Sequence, residues 1–147
     1  MEWILAMLLK TIRRYKTVDP FEVAKAKHIL IRYLPLGETY GFYLKNARQQ
    51  VIHINSDMED YKRPFICSHE LGHAILHPNA NTPFLDKRTL ISKGKIESQA
   101  NAWSTAQILL LNHARLSEYE TSQQLLRMNG IPLEMERFIN SLPDRLF

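Results

Sequence analysis

A single cysteine, five glycines and no long apolar run are the first things the 147-residue sequence withholds. One cysteine excludes an internal disulfide framework and any cysteine-rich zinc module. The longest apolar run, Trp3 to Leu9, is far short of the ~20 residues that a membrane span needs. It also lacks a basic start and a small-residue cleavage site, which argues against a secretory signal. Charge of one sign is not massed anywhere. Nineteen Lys and Arg against 15 Asp and Glu leave +4 spread along the chain, so neither nucleic acid nor membrane binding is demanded. No internal repeat or low-complexity tract interrupts the sequence. What is present is 45% hydrophobic and 23% charged, the composition of a globular protein. A chain this long buries roughly 70% of its unfolded surface as one core and needs no staples. The expectation is a cytoplasmic protein with no membrane association.

Residues 3–15 read as a helix, with Trp3, Ile4, Met7, Leu8 and Ile12 at helical spacing. A second helix is announced by Asp19 as N-cap, Pro20 at the first helical position and Glu22 three after the cap. Ile29 to Leu34 is β-branched and apolar and reads as a strand. Tyr40 to Leu44 and Gln50 to Asn55 alternate as a hairpin around Lys45-Asn46, with Ile52 and Ile54 on one face. These segments predict a small, mostly antiparallel sheet of about three strands, with Gln50 to Asn55 as a candidate edge for an extended peptide. Pro64 opens a helix over 65–77, and Pro78 stops it. Residues 78–94 carry Pro78, Pro83 and Gly94 without periodicity, the signature of a lid or binding loop. A long helix over about 95–113 follows, then a helix near 120–128, a turn at Asn129-Gly130 and a last helix from Pro132 to about Ser141. The fold class is therefore α+β: a domain over 1–113 and a helical extension, 114–147, packed on it.

His69-Glu70-Leu71-Gly72-His73 is an H-E-x-x-H motif on the predicted helix. Positions i and i+4 share one helix face, so both imidazoles can reach one metal ion at about 2.0–2.1 Å. Glu70 is offset in angle and can touch a water beside the metal without being a ligand. Gly72 in mid-helix costs about 1 kcal/mol relative to Ala, which hints at something packed against the backbone there. A catalytic zinc wants a third protein ligand and an open position. Glu97, at the start of the next long helix, is the candidate. Asn101 lies one turn further on the same face and could accept the outer N–H of a ligating histidine. The Glu97-x-x-x-Asn101 arrangement parallels the Glu-x-x-x-Asp of thermolysin-like zinc peptidases. His77, Tyr43 and Tyr61 are candidate oxyanion donors or site-lining groups. Cys67, about 200° round the helix from His69, reads as a core thiol. Nitrogen and oxygen ligands also accept manganese or iron, so the spacing alone does not select zinc.

The stretch Phe65-Ile-Cys-Ser-His69-Glu-Leu-Gly-His73-Ala-Ile-Leu-His77, followed by Glu97-Ser-Gln-Ala100-Asn101, resembles the ImmA/IrrE family of zinc metallopeptidases. The entry Tyr15-Lys-Thr-Val-Asp19-Pro20-Phe21 and the strand Gly41-Phe-Tyr-Leu44 are similar as well, so the likeness spans about residues 10–113. It implies a zincin-like core, Zn²⁺ held by His69, His73 and Glu97, and Glu70 as catalytic acid/base. It further implies an anti-repressor of phages or mobile elements that cleaves, or helps inactivate, a helix-turn-helix transcriptional repressor. Four positions depart from the family pattern. Gln99 stands for an acid, Trp103 for Phe and Ser104 for Ala, and Leu109-Leu110-Leu111-Asn112 lacks a proline; none removes a ligand.

Two function classes follow. The first is a regulatory zinc endopeptidase acting on a repressor. The alternative is a zinc-containing interaction module that sequesters the repressor without cutting it. Direct DNA binding is disfavoured. The tail over 121–142 faintly resembles a helix-turn-helix, but its second helix sets Glu134 and Glu136 against Arg137, and acids there repel phosphate.

Overall fold

The computed structural model describes residues 1–113 and 118–142. Helix α1 (Glu2–Tyr15) buries Ile4, Leu5 and Leu8 and ends where Lys16 turns left-handed, its N–H returning to the Ile12 carbonyl. Helix α2 (Pro20–Ala26) starts as its sequence predicts: Asp19 Oδ1 accepts from the Phe21 N–H at 2.8 Å.

Three strands follow, β1 (Leu30–Leu34), β2 (Gly41–Asn46) and β3 (Gln49–Asn55), in the spatial order β1-β3-β2. β2 and β3 form the expected antiparallel hairpin, turning through Ala47 at a φ of 54°. β1 pairs with β3 in parallel, so the sheet is mixed. Gln50 to Asn55 is thus the central strand, and the edge predicted there belongs to β1 and β2 instead. The buried Asn55 side chain explains why. Its Oδ1 accepts from Leu36 and Asp57, and its Nδ2 donates to the carbonyls of Gly37 and Thr39. The bonds to Leu36, Gly37 and Thr39 hold the β1–β2 connection across the end of β3, with β1 on the other side of β3 from β2.

Ile52 and Ile54 are fully buried on one face of β3, as the alternation predicts. They pack against helix α3 (Arg63–Leu76), which has the sheet on one flank and helix α5 (Lys95–Leu111) on the other. The segment between these helices is less irregular than its composition suggests. Leu85 bridges to Gly41, and α4 (Lys87–Leu90) opens with a capping box between Asp86 and Thr89. Phe84 stacks on Phe42, ring centroids 4.6 Å apart.

Beyond α5, helix α6 (Ser122–Met128) is followed by a 3₁₀ turn, Leu133–Met135, and by α7 (Glu136–Ile139). The last helix is shorter than predicted, because Pro132 takes an extended conformation and the chain re-enters through the 3₁₀ turn. A four-residue α7 is too short to serve as a groove-reading helix. Leu126, Ile131 and Met135 join the same core as Leu8, Phe65 and Trp103. The sequence-predicted boundary at 113/114 runs into residues 114–117, outside the described residues. Among the described residues, no helix is long and apolar enough to cross a membrane.

Gly130 fixes the tail against the segment before α3. Its φ is 69°, and a Cβ there would lie 2.0 Å from the Tyr61 carbonyl oxygen. Gly130→Ala therefore combines a left-handed penalty with a backbone clash and should lower stability by about 2–4 kcal/mol. Urea denaturation followed by circular dichroism checks this; an unchanged midpoint contradicts the contact.

Candidate metal centre

Ten consecutive residues of α3, Phe65 to Ala74, are buried, including His69, Glu70 and His73. The helix can bury three ionisable side chains because one face rests on the sheet and the opposite face on α5. Gly72 shows how closely α5 approaches. A Cβ on it would lie 3.1 Å from the Trp103 ring, the close packing that its presence in mid-helix suggested. Gly41 has the matching role on the sheet side. A Cβ there would meet His53 O and Ile66 Cγ2 at 2.7 Å and Glu70 Cγ at 3.8 Å. In the sequence Gly41 only opens the strand Gly41-Phe-Tyr-Leu44, and a glycine beginning a strand is the available signal for such an approach.

The His69 and His73 rings stand nearly perpendicular, centroids 4.8 Å apart. Glu97, in the first turn of α5, reaches between them. Its Oε2 lies 3.2 Å from His69 Nε2, and its Oε1 lies 2.8 Å from His73 Nε2. None of these four atoms makes a hydrogen bond of acceptable geometry, and both Glu70 oxygens are likewise buried without a partner. The atoms crowd together without aiming N–H groups at oxygens. A buried polar atom left unpaired costs about 1–3 kcal/mol, so such a cluster is suited to holding a cation. His69, Glu70 and His73 each offer a ligand atom, all within 4.8 Å of one another. The chemistry of this donor set, two imidazoles and carboxylates, fits a divalent transition metal.

The two carboxylates are tuned in opposite directions. Burial would raise Glu97, but the His69 and His73 imidazoles outweigh it and bring the carboxyl down to about 2. Glu70 has no such partner; burial, reinforced by the Glu97 charge, pushes it well above the usual carboxylate range. Burial also lowers His73, against the opposing pull of the Glu97 carboxylate.

The remaining candidates are distributed differently from their prediction. Asn101 is fully buried, but its Nδ2 donates to the Thr89 carbonyl at 3.4 Å and its Oδ1 bonds to nothing, so the expected bond to a ligating histidine is not made. The outer nitrogen that does find a partner is His73 Nδ1, 3.1 Å from His77 Nδ1. His77 Nε2 lies 2.6 Å from Gln99 Oε1. Gln99 stood out in the sequence only as a departure, because its role depends on two helices converging. Tyr43 donates its hydroxyl to the Pro78 carbonyl at 2.7 Å and accepts from Gln50 Nε2, which engages it beyond the end of α3. Tyr61 is half exposed, its ring beneath the Lys62 ammonium. The Tyr43 hydroxyl is committed to partners other than the cluster. Cys67 is free and fully buried, and burial raises its thiol.

Glu70 gives a test of this electrostatic picture in the metal-free protein. A carboxyl raised on folding binds more protons in the folded state, so stability falls as pH rises above the unfolded value. Glu70→Gln should therefore stabilise the metal-free chain at neutral pH, and the gain should vanish below about pH 4.5, where an ordinary carboxyl protonates. Urea midpoints against pH measure this; a gain independent of pH would mean that the carboxyl is not desolvated.

Comparison with known proteins adds to the geometry. The family model described as the IrrE N-terminal-like domain, a peptidase family, matches residues 24–128. A protein of Bacillus phage phi105 named "Uncharacterized immunity region protein 2" is 42% identical over 139 residues, covering 90% of this chain and 85% of its own length. Metallopeptidase ImmA of Bacillus subtilis (strain 168) is 32% identical over 108 residues, covering 70% of this chain and 63% of its own length.

Proposed function

The chain belongs to the ImmA/IrrE family, and from that premise we propose that it is a zinc-dependent endopeptidase of regulatory type, directed at a transcriptional repressor. The observation that carries the reading is the convergence of His69, His73 and Glu97 from two helices, their ligand atoms buried and unpaired. In this reading the two Nε2 atoms and the Glu97 carboxylate hold the metal. Glu97 is preferred to Glu70 as third ligand because its oxygens lie closest to both nitrogens. A zinc ion bound there supplies Lewis-acid polarisation and an acidified water.

Glu70 then performs the proton transfers. Its raised affinity for protons suits a general base that takes a hydron from the attacking water and returns it to the leaving nitrogen. The same two-way traffic would be poor at a carboxyl held near 2, which suits Glu97 to permanent ionisation. Burial of the cluster keeps competing solvent away while the charge on the tetrahedral centre develops.

The repressor as substrate rests on the phage immunity-region relative and on ImmA. The second reading, sequestration without cleavage, draws on the burial of Glu70 and both histidines, 0% exposed, which leaves a substrate no direct approach in this conformation.

One experiment separates them. The purified chain with zinc is mixed with a helix-turn-helix repressor encoded beside it, and intact masses are recorded. Two fragments summing to the repressor plus one water indicate hydrolysis; an intact repressor in a stable complex indicates sequestration. Glu70→Gln should retain zinc and lose cleavage by a factor of 10² or more, within the range a general base contributes. Undiminished cleavage would remove Glu70 from the mechanism. Glu97→Ala should lose its metal on dialysis, read by elemental analysis, while the parent chain keeps it.

A further inference from the structure

His73 can hold a cation through Nε2 only if its ring proton sits on Nδ1. That Nδ1 faces His77 Nδ1 at 3.1 Å, a separation at which one nitrogen must donate and the other accept. Two proton arrangements satisfy the contact. In one, His73 Nδ1–H donates to His77 Nδ1, and His77 Nε2–H donates to Gln99 Oε1 at 2.6 Å. In the other the direction reverses, His73 carries its proton on Nε2, and the lone pair that faces Glu97 is lost. Only the first arrangement leaves a ligand.

We propose that His77 and Gln99 are positioning residues that fix the tautomer and ring orientation of His73 through the relay His73→His77→Gln99. The proposal rests on the reading of His73 as a metal ligand. The relay spans both helices of the centre, since Gln99 lies two residues beyond Glu97 on α5. Gln99 thus ties the outer side of one ligand to the element that carries the third. His69 has no counterpart, because its Nδ1 is buried without a partner. A glutamine is the ambivalent member: its carboxamide can present an oxygen or an NH₂ group. A carboxylate at that position can only accept, so with a neutral His77 it permits only the ligand-competent direction. His77 is not itself a ligand in this arrangement, because Nδ1 and Nε2 are both engaged.

The test uses the full chain and zinc alone. Zinc affinity is measured by competition with a chromophoric chelator for the parent, His77→Ala, Gln99→Ala and Gln99→Glu. His77→Ala should bind zinc 10- to 100-fold more weakly, the usual cost of losing the outer partner of a ligating histidine. Gln99→Ala should fall between it and the parent, and Gln99→Glu should bind at least as tightly as the parent. Unchanged melting of the metal-free variants would separate positioning from folding. If His77→Ala fails to fold, the two Gln99 variants decide. Long-range ¹H–¹⁵N spectra of the zinc-loaded parent should show His77 protonated on Nε2 and bare on Nδ1. Parental affinity in a folded His77→Ala, or a His77 proton on Nδ1 in the loaded chain, overturns the relay while leaving the metal centre intact. A parent that binds no zinc overturns the centre first, and the relay with it.

Discussion

The seating of the Trp103 indole against the bare backbone of Gly72 is the contact on which the site depends. The indole is not free to move. Its Nε1–H donates to Gln107 Oε1 at 3.0 Å; the same oxygen accepts from Ser68 on α3, and Gln107 Nε2 donates to the Val18 carbonyl at 3.0 Å. The flank of α5 is thereby fixed against α3 and the α1–α2 connection. His73 follows Gly72 directly, and Glu97 lies on the same helix as Trp103. The close approach therefore sets the 2.8 Å separation of His73 and Glu97. A side chain at Gly72 would push the helices apart where His73 and Glu97 meet.

Much of this was legible in the sequence, and what was not has a common cause. The helical period gave α3 and α5, the i,i+4 spacing gave both imidazoles one helix face, and Asp19-Pro20 gave a helix start, because each depends on neighbours in the chain. The mid-helix glycine even signalled a close packing partner without naming it. The sheet order was not legible, because it depends on the Asn55 side chain bonding to a connection 16–19 residues away. The short α4 was missed although Asp86 and Thr89 spell its capping box, because four residues carry no periodicity. Asn101 was assigned to a ligating histidine by its helix face, but the face fixes only the direction of Cβ, and the Thr89 carbonyl lay within reach. Gln99 could be seen to depart from the family's acid but not to meet His77.

The centre also shows how one buried pocket holds two carboxyls in different protonation regimes. Both leave water, and both lose solvation. Glu97 recovers the loss because two imidazoles lie within 3.2 Å of it, whereas Glu70 Cγ sits beside the backbone of Gly41. The difference arises from neighbours as well as from depth. A few ångströms of placement thus separate a carboxyl held down at about 2 from one pushed well above the usual range.

The rim of β2 imposes a limit of its own. Tyr40 N–H and Gly41 C=O, backbone groups facing away from β3, are already bonded to Leu85 at 2.7 and 2.9 Å. This occupied rung lies beside Glu70, whose Cγ would be 3.8 Å from a Cβ on Gly41. A visiting polypeptide that lengthens the sheet finds that berth taken, so it must moor further along, beside Tyr43 and Leu44, or unseat a leucine whose side chain is wholly enclosed.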